Sequence, residues 1–506
     1  MNIKNLPHLI LLALILTLIC TVPFIFKSQI LPEKENTNHF TVTGCLSNDT
    51  YFYYPYSFQD IKIESSKYGE ISISPKNGNL TLIDNWFLEC QYKNKKISAY
   101  IPANKNLKIQ HSTNILAEPI KKFSETPRRT IIQQTIHIME GLTEITKIKQ
   151  TIVFNKDFKH TLVLTDITPI QDISYINFTR KATLNLANIK TKIFPGEKTP
   201  YKQQTLSKHK NGFYGVAAFT TVNQTYFVAY WPNTTQTKIL NQKFKTIFSY
   251  SWTHKNPATT KRFITVYGIV EKGLNKNSEL WYQLNLVFNP PDLQSLVNST
   301  FSWAVVGREA EADLLSLEII KQSLPVKNLS YDLCNPKDPG KHFILSINKK
   351  TGSYYDQLKR LHLKGKIDNL NISGEKILVV GSIYANHVTK YFSDFTNILL
   401  TALKDKPCLY TYSSTKNYYP ITPEKNKGIG VITTCKDPNG TQSLIIWGYT
   451  AQDTHWISKA LKMEIINLKK IPPGTISLII SIDYSKYPPQ KEAFKIETLG
   501  TITKTF

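Results

Sequence analysis

Between Cys45 and Phe301 apolar and polar residues alternate in short runs divided by turn residues. TIIQQTIHIM at 130–139, EITKIKQTIVF at 144–154 and HTLVLTDI at 160–167 are rich in β-branched residues, and they are separated by a Glu-Gly pair at Glu140 and by NKDF at Asn155. A period of two with tight punctuation predicts an antiparallel meander. GFYGVAAFTTVNQTYFVAYWP repeats the pattern as a hairpin around Asn223. So many half-buried strands with almost no helix between them predict two stacked sheets, a β-sandwich domain over 45–304 that could hold two subdomains.

The period changes near residue 305. REAEADLLSLEIIKQSLP sets Ala310, Leu314, Leu317, Ile320 and Leu324 on one helical face and stops at Pro325, which predicts a linker helix over 305–325. Over 326–506 continuous apolar runs alternate with amphipathic ones. GKHFILSI, KILVVGS, GIGVITT, SLIIWGY and TISLIISIDY read as strands; YYDQLKRLHLKG, HVTKYFSDFTNILLTALKD and AQDTHWISKALK read as helices. Strands of that kind between helices predict a sheet covered on both faces, an α/β domain.

The N-terminus has no period at all. After Lys4 the chain is uncharged from Leu9 to Phe26 and closes at Lys27. Those residues span about 27 Å as a helix, close to the thickness of a bilayer's hydrocarbon core. Residues 1–30 are therefore expected to be a signal-anchor with one transmembrane helix, and LPEKENTNHFTVTG at 31–44 a polar stalk. Bulky Val22, Phe24, Ile25 and Phe26 stand where a cleaved signal would have small residues, so the anchor is favoured over a removed leader.

Composition adds a folded class and a sign. Of 506 residues 41% are hydrophobic and 20% charged, which excludes disorder. The formal net charge of +25 comes from 62 Lys+Arg against 37 Asp+Glu with no basic block, so a nucleic-acid partner is not expected. A genome rich in Lys, Ile and Asn accounts for the charge; the other reading is a surface that meets anionic glycans, lipid headgroups or acidic neighbours.

Cys45, Cys90, Cys334, Cys408 and Cys435 follow the anchor without a C-x-x-C pair, which points away from metal chelation. Their separations suggest the disulfides Cys45–Cys90 and Cys408–Cys435 and an oxidising exterior, against the reading of five buried thiols. Asn-x-Ser/Thr acceptors begin at Asn48, Asn79, Asn177, Asn223, Asn233, Asn298, Asn328, Asn371 and Asn439, as in a glycosylated ectodomain. Tyr51, Phe52, Tyr53, Tyr54, Tyr56, Phe58, Trp231, Trp252 and Trp281 could stack on sugars, but in a large sandwich such rings more often fill the core.

EKILVVGSIYANHVT at 375–389 has the grammar of a phosphate loop, a buried strand ending at a glycine before a helix. Gly381 is its only glycine, and Ile383 and Tyr384 put bulk where phosphate would lie. Neither G-x-G-x-x-G nor G-x-x-x-x-G-K-[ST] is present, so no nucleotide cofactor is expected.

The same residues carry a resemblance. KILVVGSIYAN with Gly381 and Asn386, then GIGVITTCKDPNGTQSLIIWGYTAQDTHWISKAL with Gly430, Pro438, Asn439, Gly448, Asp453 and Thr454, resembles the C-terminal part of archaeal S-layer proteins over about 375–485. Ser382 and Ile383 stand where the family pattern has a second glycine and a proline. The resemblance implies structural roles for Gly381, Asn386, Gly448, Asp453 and Thr454: Gly381 and Gly448 where strands leave the sheet, and Asp453 or Thr454 capping the helix that follows.

No catalytic motif is found, and no enzyme, cofactor or metal is expected. His455 lies two residues from Asp453 at a helix start, where the two do not face each other. The leading expectation is a membrane-anchored, single-pass cell-surface glycoprotein with most of its chain extracellular. It would be held by residues 9–26 and would contact other envelope proteins or copies of itself. The alternatives are a glycan-binding module, and an anchored assembly factor for exported proteins, whose sandwich loosely resembles the ectodomain of bacterial membrane insertases.

Overall fold

In the computed structural model, residues 45–501 are described apart from 48–49, 54–60, 67, 76–81, 101–113, 126–128, 156–159, 185–189, 195–214, 221–223, 232–235, 243–244, 272–286, 288–289, 307–310, 331–373, 384, 404–405, 414–415, 417, 423–425 and 438–439. The expected anchor and stalk, Cys334, the acceptors Asn48, Asn79, Asn223, Asn233, Asn371 and Asn439, and the segments GKHFILSI and YYDQLKRLHLKG lie outside the described residues. Among the described residues no helix is long and apolar enough to cross a membrane.

Strands dominate, as the alternation requires. The chain opens with β1 (Cys45–Ser47), β2 (Thr50–Tyr53), β3 (Ile61–Ser66), β4 (Ile71–Pro75), β5 (Leu82–Tyr92) and β6 (Lys95–Tyr100). Next come β7 (Ile115–Ala117), β8 (Lys121–Glu125), β9 (Arg129–Glu140), β10 (Thr143–Asn155), β11 (His160–Pro169) and β12 (Tyr175–Leu184). Then β13 (Lys190–Phe194), β14 (Gly215–Thr220), β15 (Gln224–Trp231), β16 (Gln236–Gln242), β17 (Lys245–Lys255) and β18 (Lys261–Glu271) complete two nine-stranded antiparallel sheets. Sheet I has the order β1-β2-β3-β4-β5-β12-β17-β16 with β6 beside β5. Sheet II runs β13-β14-β15-β18-β11-β10-β9-β7 with β8 beside β9.

The two sheets stack through their alternating inward residues. On β5 these are Leu82, Asp84, Trp86, Leu88 and Cys90, each at most 2% exposed. Phe178 and Trp252 of sheet I meet Phe263 of sheet II with ring centroids 5.1 and 5.4 Å apart; Phe178 and Phe263 are buried, and Trp252 is half-buried against them. A buried ion pair also lies between the sheets: Arg180 Nε donates to Asp84 Oδ2 at 2.6 Å and Nη1 to Thr165 Oγ1 at 2.9 Å.

The C-terminal half contains α1 (Leu293–Val297), β19 (Phe301–Val306), α2 (Glu311–Lys321), β20 (Val326–Ser330), β21 (Lys376–Val380), α3 (His387–Ser393) and β22 (Ile398–Leu403). It continues through β23 (Lys406–Thr411), β24 (Tyr418–Pro420), β25 (Lys427–Lys436), β26 (Gln442–Gly448), α4 (Ala451–Lys462), β27 (Thr475–Asp483) and β28 (Phe494–Gly500). Sheet III has the order β20-β19-β21-β26-β25-β27-β28, parallel from β20 to β26 and antiparallel beyond. The small sheet IV is β22-β23-β24.

Sheet III is apolar on both faces because both are covered. Leu378 and Val380 face a core with α1, α2 and α4, whereas Ile377 and Val379 face one with α3 and sheet IV. Burying Ile457 or Leu461 of α4 in this way contributes roughly 1.5–3 kcal/mol each. The helix expected as an inter-domain linker over 305–325 is α2, the β19-to-β20 crossover within sheet III. Its Leu317 and Ile320 are fully buried against α4 and the sheet, so it cannot act as a free hinge. The expected long helix 387–405 ends at Ser393, and its second half is β22, which pairs with β23.

Sheet II is covered on its outer face as well. Eight consecutive residues of β9, and eight of β11, are buried, because sheet IV packs against the side turned away from sheet I. The contact is polar. Arg129, 1% exposed, donates through Nη1 to Thr396 O at 2.7 Å and Tyr412 Oη at 3.2 Å, and through Nη2 to Ser393 O at 3.0 Å. It thereby caps the C-terminus of α3, where the carbonyls lack helical partners. Arg262 grips Asp166 with both prongs, Nε to Oδ1 at 2.7 Å and Nη2 to Oδ2 at 2.8 Å, and also donates to Tyr412 O.

The expected disulfides do not form: Cys90, Cys408 and Cys435 are buried free thiols. Cys45 lies on β1, four strands from β5, a distance of roughly 19 Å at the usual strand spacing and far beyond what a disulfide spans. Cys408 shares a face of β23 with Tyr410, which meets Thr151 of sheet II, whereas its neighbour Leu409 faces sheet III. Cys435 belongs to the core between sheets III and IV, so the backbone of sheet IV separates the two thiols.

Removing one partner from a buried charged network typically costs about 3–5 kcal/mol. Arg129→Met is expected to lower stability by that amount in urea unfolding and to split one transition into two as the halves uncouple. A single transition of unchanged midpoint would show that the seam does not hold them.

Candidate functional site

The residues singled out by the sequence converge at the carboxyl edge of sheet III. After β19 the chain turns to α2 on one face, and after β21 it turns to α3 on the other. That divergence is the switch point at which open α/β sheets usually take ligands. Here the crevice is filled from within. Asn386, fully buried, is the N-cap of α3; its Oδ1 accepts from Val388 N at 2.9 Å and Thr389 N at 3.3 Å. Its Nδ2 donates to Val380 O at 3.0 Å and Val305 O at 3.4 Å, tying β21 to β19. The helix-start donors a phosphate would need are therefore occupied.

Gly381 has φ +108°, a conformation closed to residues with a Cβ, and a Cβ there would meet the carboxylate of Asp313. Thr389 Oγ1 donates to its carbonyl at 2.7 Å. Asp313, on α2, is 4% exposed, and its Oδ1 has no hydrogen-bond partner among the described residues. Burial raises its pKa to about 6 against a bond from Thr454 that lowers it.

One strand along, Gly448 ends β26 so closely against α4 that a Cβ would strike Asp453 and the Thr454 amide. The cap of α4 is Thr450. Its Oγ1 accepts from Asp453 N at 3.2 Å while Asp453 Oδ2 accepts from Thr450 N at 2.9 Å, a capping box. Thr454 instead accepts from Gly448 N at 2.9 Å through Oγ1. Asp453 Oδ1 accepts from Tyr484 Oη at 2.7 Å. Burial, and then that bond, raise the pKa of Tyr484 well above the ordinary phenol range.

Beside this cluster a groove of about 430 Å³ opens between the ends of β24, β26 and β27. Tyr449, Tyr484, Lys427, Gln452, Asp483 and Lys495 line it. Both oxygens of Asp453 are engaged, so it is not free to act as a base. His455 and Trp456 form a T-shaped pair, centroids 6.0 Å apart, and burial followed by Lys459 lowers the histidine's pKa; no bond joins it to Asp453 among the described residues. Among the described residues no group of three or more His, Cys, Asp or Glu could hold a metal ion.

The structure thus brings Gly381 and Asn386 together at one loop, and Gly448, Asp453 and Thr454 at the next. Sequence reasoning missed Asp313, Tyr484 and Thr450. Thr450 was readable, since TAQD has the spacing of a capping box; Asp313 and Tyr484 are brought to Asp453 from distant parts of the chain and leave no local signal. Of the described acceptors, Asn298 and Asn328 are exposed and Asn177 is half-buried on the outer face of sheet I.

No protein-family model and no curated protein matches the chain. Among solved structures it is similar to the Slr1438 protein from Synechocystis, at 8% identity over 46% of this chain and 98% of that one, with a TM-score of 0.30. An alpha-mannosidase from Enterococcus faecalis aligns at 9% identity over 46% of this chain and 30% of its own, TM-score 0.29. The GH36 alpha-galactosidase AgaA from Geobacillus stearothermophilus aligns at 9% over 67% and 56%, TM-score 0.32. The chain spans less than two thirds of the latter two, and at these TM-scores the likenesses assign neither a fold family nor a chemistry.

Asp313 has a higher pKa folded than unfolded, about 6 against 3.8, so the native state holds the proton more tightly. Its ionisation therefore removes stability as pH rises through this window, by about 3 kcal/mol in all. Asp313→Asn is expected to match the wild type at pH 4 and exceed it by up to that amount at pH 8 in urea unfolding. Equal stability at both pH values would place the carboxylate in contact with water or a cation.

Proposed function

We propose that this chain is a structural glycoprotein of the cell envelope, of S-layer type, anchored by residues 9–26 with most of its mass outside the cell and working through contacts with other envelope proteins or with itself. One observation carries the reading: at the segment that resembles S-layer proteins, the polar groups of Asn386, Asp453 and Thr454 are bound within the chain, and Gly381 and Gly448 are needed for close approach. A motif used in this way builds a rigid body. The surface positions of Asn298 and Asn328 favour a glycosylated exterior. The buried free thiols withdraw the disulfide argument for that exterior, which now rests on the N-terminal segment and the sequons.

A second reading, a glycan-binding surface, is favoured by the groove whose lining combines Tyr449 and Tyr484 with charged and amide groups.

Electron microscopy of native envelopes with the protein labelled, together with mass spectrometry of the sequons, tests the proposal. The label is expected on the outer surface in a regular array, with glycan on Asn298 and Asn328. A soluble, unglycosylated monomer recovered from the cytoplasm would overturn it.

A further inference from the structure

Sheet III ends at β28, and no strand pairs with the outer edge of β28 among the described residues. An open edge of this length exposes a row of backbone donors and acceptors, and proteins usually guard such edges with charge. The sequence of β28, FKIETLG, carries both signs. Lys495 and Glu497 project from the same face, with Nζ and Oε1 3.6 Å apart and 75% and 27% of their side chains exposed; Glu497 is steadied on that face by Tyr419 Oη, which donates to Oε2 at 2.9 Å, and by Lys416 Nζ at 3.3 Å from Oε1. Phe494 and Ile496 project from the other face, toward the helix-side core.

We propose that β28 is an interface between two copies of this chain, which pair antiparallel across a two-fold axis at Ile496 and join their seven-stranded sheets into one.

The register follows from symmetry. A two-fold axis relating antiparallel edge strands stands perpendicular to the sheet, so it must pass midway between one residue and its own copy if each layer is to continue on its own side. Centred on Glu497, the pairing sets Glu497 against its own copy. Centred on Lys495, it sets two lysines together. Centred on Thr498, it sets Glu497 against Leu499. The axis at Ile496 places Lys495 opposite Glu497 of the second copy, and Glu497 opposite its Lys495, within the roughly 4.5–5.5 Å that separates facing Cβ atoms. Together with the pair inside each strand, this makes a ring of four alternating charges on one face. On the other face Ile496 meets Ile496, and Phe494 meets Thr498. The charges that would repel a foreign edge are self-complementary in this single register.

The interface deepens the proposed envelope role and rests on it for its setting, and it is tested separately. Full-length protein is purified in detergent, and self-association is followed by sedimentation. Lys495→Glu and Glu497→Lys are each expected to weaken it about tenfold, since each places like charges opposite one another twice. The double variant restores it. Ile496→Cys is expected to yield a disulfide-linked dimer on mild oxidation beyond the level of the wild type, while Thr498→Cys does not. If the wild type associates but ignores all these changes, the edge pairing is wrong and assembly uses another surface, leaving the envelope role standing. If the wild type stays monomeric at high concentration and Ile496→Cys fails to cross-link, the pairing is likewise excluded, and labelling of native envelopes decides the role on its own.

Discussion

A guanidinium taken out of water needs acceptors close around it, and this protein is organised around three that find carboxylates, carbonyls and hydroxyls inside the fold. Arg180 lies between sheets I and II, while Arg129 and Arg262 lie between sheets II and IV. The cost of burying such a charge is several kcal/mol, so each commits its neighbours to a fixed place. Asp84 and Asp166 are held as counter-charges, and the end of α3 is held as a set of carbonyls. Sheet II is thereby fixed on both faces, and the two halves of the chain become one layered body.

These cations explain a feature of composition. Only six of the 62 basic residues are arginine, and the three that are described are all buried. Lysine serves the surface of a strongly basic chain well, because it needs only water around a point charge. A buried site that must meet a carboxylate and several carbonyls in one plane needs the fork of arginine. The rarity of arginine is thus a readable marker of where the layers join, although the sequence does not say which layers.

Much of the architecture was legible where period was long and punctuation clear. β9, β10 and β11 follow from alternation with turns at Glu140 and Asn155, and β21, β26, α4 and β27 from apolar runs beside amphipathic ones. The failures share a cause. NILLTAL has no period that separates a helix from a strand, and β23 beside it decided the matter. Ala310 to Leu324 announced a helix correctly but could not announce its neighbour α4. The cysteine pairing failed because spacing along the chain carries no information about which sheet, or which face of a strand, each thiol occupies. At the candidate site the glycines and Asn386 were visible as turn chemistry, whereas Asp313 and Tyr484 were joined to it by the fold alone.

Arg129 and Thr396 are 267 positions apart, and that separation sets a timetable for synthesis. At a growth rate of about 5–20 residues per second, the strand bearing the arginine emerges roughly 13 to 53 seconds before its acceptors exist. Sheet II cannot close its outer face during that interval, and it presents apolar strands and the guanidinium of Arg129 to whatever surrounds the nascent chain, while Arg262 already has Asp166 beside it. Maturation of this seam therefore waits on the last-made third of the chain, which supplies the acceptors that complete the outer face of sheet II.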